Sequence, residues 1–294
     1  MIQLKIGRKK QFSDLSQMGL VWYRFKKNKL AMLGLFIIIF YLLISFAAPL
    51  FVDYATVITQ SIPNRFKSPS AEHWFGTDQY GRDLFARVVW GGQVSLLAGL
   101  ASVIISLFFG VILGGIAGYA GGRAENLIMR ALDILMAVPS MLLTMAIVAA
   151  LGQGIQNMLV ALSISAIPAY ARVIRSSILS IRNLEYVESA KCSGATSWRI
   201  IFKHILPNCI GPIIVNATLS LGSVILSIAN LGFLGVGISP PTPEWGTILS
   251  ENRANIRFYP YMGIIPGVAI AVAVMALNFI GDGLRDAFDP RTKS

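Results

Sequence analysis

The chain has 294 residues, 55% hydrophobic and 13% charged, with a mean hydropathy of +0.65, whereas a soluble globular chain carries about 25% charged residues. This balance excludes a disordered chain, a disulfide-stapled secreted domain and most soluble enzymes. The formal charge of +11, from 25 Lys and Arg against 14 Asp and Glu, reads in so apolar a chain as a membrane-orientation signal rather than a nucleic-acid surface.

The first segment, residues 1–29, is polar and basic, and no small-residue cleavage site follows it closely. The first apolar run, 30–52, is therefore expected to stay as a membrane anchor. A bilayer core about 30 Å thick takes about 20 helical residues, and five uncharged runs are that long or longer. Residues 53–93 read as an extracytoplasmic loop. The uncharged run 88–122 gives a second span with its helix starting near Val94. The run 134–171 is too long for one span and is broken by the glycines and amides of Gly152–Asn157. Helices are expected over 131–151 and 158–178, with the arginines from Arg172 onward snorkelling to the surface. A long loop, 179–212, precedes a fifth span at 213–235. The sixth lies at 258–281, within a five-helix core of 94–284, and 285–294 form the tail. The expected fold is an all-α membrane protein with six transmembrane helices.

The basic residues choose its orientation. With both termini in the cytoplasm, 19 Lys and Arg lie inside and 6 outside, while the outer face has as many acids as bases. The whole positive excess then sits on the cytoplasmic face, which the positive-inside rule favours.

Within the spans, Ser106, Gly110, Gly114, Gly118 and Gly122 recur every four residues and predict close helix packing, inside the chain or against a second subunit. Pro168 removes a backbone hydrogen bond and predicts a kink. Asn216, Asn230 and Asn278 suit either a translocation route or interhelical hydrogen bonds. Cys192 and Cys209 are expected to be free thiols, and with only His73 and His204 no metal cluster is expected. Gly-Lys never occurs, so this chain has no P-loop for ATP. The spans also lack the paired mid-membrane ionisable residues expected of an ion-driven carrier or an embedded enzyme.

The cytoplasmic loop is the most informative stretch. Tyr186, Val187 and Ala190 give one apolar helical face, Gly194 is placed to end that helix with a positive φ, and Ala195, Trp198, Ile201 and Phe202 restart an amphipathic helix that Pro207 is expected to stop. Such a helix suits docking in a partner's groove or lying at the lipid interface.

From Glu188 to Pro207 the loop resembles the E-A-A-x-x-x-G-x9-I-x-L-P motif of ABC importer permeases. Glu188, Ala190, Gly194, Leu206 and Pro207 match, Ser189 replaces the second Ala, and His204 stands where Ile is usual. The segment from Trp22 to Ala31 resembles the start of dipeptide, oligopeptide and nickel permeases. Gly76-Thr77-Asp78-x-x-Gly81-Arg82-Asp83, followed by Arg87 and Gly91, resembles their G-T-D-x-x-G-R-D signature. Leu231–Gly235, Pro240, Pro241, Glu244, Trp245 and Gly246, and Gly281–Asp286 near Asp289-Pro290, are similar to the C-type subunit of that group.

The resemblance implies a type I importer permease fold in a bacterial or archaeal inner membrane, and no enzyme activity in this chain. It implies a homologous second permease, one or two ABC ATPase subunits carrying ATP and Mg, an extracytoplasmic solute-binding protein, and no nucleic acid. Residues 185–199, with Glu185, Glu188, Ser189, Ala190, Gly194, Ala195 and Trp198, would couple to the ATPase, followed by Leu206 and Pro207. The cargo implied is a di- or oligopeptide, with nickel or a metal chelate as the alternative. No motif marks substrate contacts. Turns at 76–83 and 240–246 are read either as a stabilising network or as contacts to the binding protein, with Arg82 paired to Asp78 or Asp83.

Overall fold

Asn28 separates two helices and starts the second. In the computed structural model, which describes residues 17–289, α1 (Gln17–Lys27) ends one residue before Asn28. The Asn28 side chain then accepts from the N–H groups of Leu30 and Ala31 and caps α2 (Lys29–Phe51), the first span. The basic residues before position 17 and the last five residues, with Pro290, Arg291 and Lys293, lie outside the described residues.

Outside α2 come a short helix, α3 (Tyr54–Ile58), and a turn-rich segment with one isolated bridge, Thr77 to Asp83. Asp83 then caps α4 (Leu84–Ala120), its side chain accepting from the Ala86 N–H. The helix therefore starts ten residues before the expected Val94 position. Hydropathy placed Arg87 outside the helix, whereas the structure buries it in ion pairs that let the helix begin earlier.

The third crossing also departs from expectation. Instead of one helix at 131–151 there are two, α5 (Gly122–Met136) and α6 (Ser140–Leu151), bent by 85° at the break. Pro139 lies in that break and disfavours helical geometry at Val138. The fourth span, α7 (Ile155–Ile181), runs through Pro168. The loop helix α8 (Glu185–Cys192) and a one-turn helix, α9 (Ser197–Arg199), follow.

Pro207 does not stop the next helix. A π-turn at Ile200–Ile205 and a 3-10 turn at Leu206–Cys209 lead directly into α10 (Ile210–Phe233). The widened turn, closed by Leu206 N–H to Ile201 O, accommodates a proline ring that has no N–H and crowds the carbonyl four residues back. A short helix, α11 (Trp245–Asn252), and the last span, α12 (Tyr261–Phe288), complete the described residues. Among the described residues five helices are long and apolar enough to span, and six crossings result when the bent α5–α6 pair counts as one.

Contacts at the two ends are consistent with that count. At one end Arg24 donates to the carbonyls of Ala287 (3.3 Å) and Asp289 (3.1 Å), so both described ends of the chain share a side. On that side Arg182 donates to Gly118 O (2.9 Å), Arg172 pairs with Asp133 (2.8 Å) and Arg175 pairs with Glu125. Arg172 and Arg175 of α7, and Arg182 just beyond it, thus bind α4 and α5. At the other end Gln79 meets Glu251, and Gln153 meets Gly235 and Ser239.

The small-residue stripe packs inside the chain, on α7. Ser106, Gly110, Gly114 and Gly118 are buried. A Cβ at Gly110 would stand 2.5 Å from Tyr170 Cβ and one at Gly118 3.0 Å from Ile178 Cβ, while one at Gly114 would strike the Ala171 carbonyl. Gly122 leaves this seam: it is exposed at the α4–α5 break with φ +55°, where the chain turns away. Gly114→Leu is expected to lower stability by at least the ~1–3 kcal/mol of core overpacking. Gly115→Ala, into open space, should leave it nearly unchanged, as thermal unfolding of the two purified variants will report.

Candidate functional site

The loop from Glu185 to Pro207 presents one anchored face and one free face. Val187 is fully buried and packs in a cluster with Ile174, Ile178, Ile200, Ile205 and Cys209. Around it Glu185, Tyr186, Glu188, Ser189, Lys191 and Cys192 are exposed, and Ala190 is half-buried. Gly194 has φ +75°. Its N–H donates to Lys191 O (3.0 Å) and the Ala195 N–H to Ala190 O (3.1 Å). That pair of bonds is a Schellman cap, which requires the left-handed conformation glycine adopts cheaply. Thr196 then caps the next turn through the Arg199 N–H. Trp198 and Phe202 stack at 5.6 Å, both exposed, beside α8. Leu206 is half-buried under the same cluster and Pro207 is exposed. The loop is thus a short helix fixed to the ends of α7 and α10, with its polar face and an aromatic pair uncovered.

The opposite end of the molecule holds a buried ring of charge. Arg82 binds Asp78 (2.7 Å) and Glu251 (3.0 Å), and Arg87 binds the same Asp78 (2.9 Å) and Glu251 (2.6 Å). Asp78 and Arg87 are fully buried. Asp78 also accepts from the N–H groups of Tyr80 and Arg82. Asp83 does not bind Arg82; it caps α4 and meets His73 Nδ1 at 2.8 Å. Gly76 and Gly81, both at φ +75°, let the backbone turn inside this ring. Thr77 is buried, its hydroxyl donating to Asn64 O (2.5 Å) and accepting from the Lys67 N–H (2.9 Å). Two cations and two carboxylates balance, so the ring has no net charge to offer a ligand and works as a clamp joining the start of α4 to α11.

A second buried carboxylate holds α11. Glu244 is fully buried and accepts from the N–H groups of Gly246 (2.9 Å) and Thr247 (2.8 Å) and from the hydroxyls of Ser95 (3.1 Å) and Thr247 (3.2 Å). Burial pushes its carboxyl above the ordinary carboxylate range, and those hydrogen bonds oppose the shift. Trp245 is fully buried and donates to Val88 O (2.8 Å), and Gly246 packs directly on Ala229. Pro240 and Pro241, joined by a cis peptide bond, are exposed ahead of this cap. Glu244→Gln replaces one acceptor oxygen with a donor that faces other donors. It should lower stability by about 1–3 kcal/mol, against a smaller loss for Ser95→Ala, both read by thermal unfolding.

Over residues 110–294 the chain matches the family described as binding-protein-dependent transport system inner membrane component, and over 16–69 the N-terminal transmembrane domain of oligopeptide transport permease C. It is 48% identical to the dipeptide transport system permease protein DppC of Alkalihalophilus pseudofirmus, over 97% of this chain and 93% of that protein. The chain belongs to the binding-protein-dependent transport permease family. This permease is also 44% identical to the di/tripeptide transport permease DppC of Pseudomonas aeruginosa (93% of this chain, 92% of that protein). It is 42% identical to the glutathione transport permease GsiD of Pectobacterium atrosepticum (93% and 91%). Its fold is that of the membrane subunit in an inward-facing methionine ABC transporter: TM-score 0.53, 22% identity, 66% of this chain and 94% of that one. That is the type I importer fold, and this permease is a non-catalytic, multi-pass inner-membrane subunit. Its family implies a partner permease, an ATPase and a binding protein.

Three residues of these sites were not among the predicted ones: Ser95 and Thr247, which complete the Glu244 cap, and Glu251, which closes the charge ring with Arg87. Arg87 and Glu251 are 164 positions apart, a separation for which local spacing carries no signal.

Proposed function

We propose that this permease is one of two homologous membrane subunits of an ATP-driven importer of di- or oligopeptides, with both termini in the cytoplasm. The carrying observation is the 48% identity to a dipeptide permease across nearly the whole chain. The relatives named for di/tripeptides and for glutathione, itself a small peptide, support the same cargo class. The positive excess at the loop ends supports the orientation.

In this reading α8 and its Gly194 turn dock in a groove of a separate ATPase subunit that binds ATP and Mg. Glu185 and Glu188 face that partner, and Ala190 and Ala195 allow close approach. Val187 transmits movement of α8 to α7 and α10 through the cluster it shares with Ile178 and Ile205. Nucleotide then drives transport by favouring one arrangement of the spans over the other. The 76–83 and 240–246 segments are the extracytoplasmic cap on which a solute-binding protein delivers cargo. Competing uptake of labelled dipeptide and of nickel, in cells lacking this chain and in cells with it restored, tests the cargo. Restored dipeptide uptake insensitive to nickel is expected; restored nickel uptake alone overturns it.

A further inference from the structure

One face of α10 is polar along most of its length. Asn216, Ser220, Ser223, Ser227 and Asn230 fall within an arc of about 80° at 3.6 residues per turn, along about 21 Å of helix. The last four line a groove of about 250 Å³ between α10, α6 and α7, whose opposite wall includes Thr144 and Ser165. Thr144 and Ser165 bond to each other (2.8 Å) and to helix carbonyls behind them, and Ser227 donates to Ser223 O. Their donors are used and their oxygens still have acceptor capacity. Tyr170 lines the same groove. Its side chain is buried and its hydroxyl lies beside Ser220, yet makes no hydrogen bond of ordinary geometry. An unpartnered buried hydroxyl is costly, and here it belongs to a groove that no charged side chain lines.

We propose that this groove is the permease's share of the cargo path and receives the main-chain amide and carbonyl groups of a peptide. The proposal rests on the peptide-import reading above. Neutral donors and acceptors match the part common to all peptides. The lack of charge leaves their side chains undiscriminated. Asn216 continues the same face beyond the groove.

The test uses the whole complex with Cys192→Ser, carrying Ser223→Cys, Ser227→Cys or, as a comparison, Ile104→Cys on exposed apolar surface of α4. A water-soluble methanethiosulfonate reagent is applied without nucleotide and after vanadate trapping, with and without excess dipeptide. Labelling at 223 and 227 at least tenfold faster than at 104 in one of the two states, and slowed by dipeptide, is expected. Labelling as slow as at 104 in both states overturns the path. Fast labelling that dipeptide leaves unchanged overturns the role of peptide groups, provided the parent complex imports dipeptide. A parent complex that imports none, with 223 and 227 still fast, places the failure in the cargo reading instead.

Discussion

Arg87→Met is expected to destabilise the permease by about 3–5 kcal/mol, the cost of breaking a buried ion pair from one side. The guanidinium is fully buried and holds Asp78 and Glu251 together. Methionine fills similar volume but leaves both carboxylates with Arg82 alone. Since helix α4 starts only three residues earlier, its first turn loses its attachment to α11. Thermal unfolding of the detergent-purified complex should show a loss of this size. Arg87→Met combined with Glu251→Gln should lose less than the sum of the two single changes, because the pair is coupled. A loss under about 1 kcal/mol for Arg87→Met, typical of an exposed pair, would show that the ring is not what holds the cap.

Glu188→Lys carries the second large effect, on coupling rather than on stability. Glu188 is exposed on α8 and makes no ion pair within the described residues. Charge reversal there should leave the unfolding temperature of the permease nearly unchanged, as surface substitutions do. In the proposed docking Glu188 faces a basic group of the ATPase, and a misplaced charge at such a desolvated contact costs about 2–5 kcal/mol. ATP-driven uptake should therefore fall tenfold or more, with ATPase subunits lost from the complex on purification. Val187→Asp makes the contrasting case. It buries a carboxylate among Ile178, Ile200 and Ile205 and should destabilise the permease itself. Unchanged uptake and assembly in Glu188→Lys would remove α8 from the coupling path.

The spans were legible because the bilayer leaves one strong signal, a long uncharged run. Gly194 was legible for a local reason: a helix ending in a Schellman cap needs a positive φ at that position. The Ser106–Gly118 stripe was legible because its four-residue spacing is the geometry of one helix face. What remained hidden depended on partners distant in the chain. Arg87 reads as the end of a span until Asp78 and Glu251 neutralise it. Pro139 lies inside an uncharged run and breaks a helix that hydropathy joins. Pro207 reads as a stop, yet a widened turn carries the chain past it into α10. The polar face of α10 was visible only as separate asparagines until α6 and α7 supplied its opposite wall.

The most direct test is peptide accumulation by the reconstituted importer. Proteoliposomes carrying this permease with its partner permease, ATPase subunits and binding protein are loaded with ATP and Mg, and labelled dipeptide is supplied outside. Accumulation of dipeptide above its external concentration, dependent on ATP and the binding protein and lost in Glu188→Lys, is the predicted result. Accumulation without ATP, or by liposomes holding this chain alone, would contradict the account.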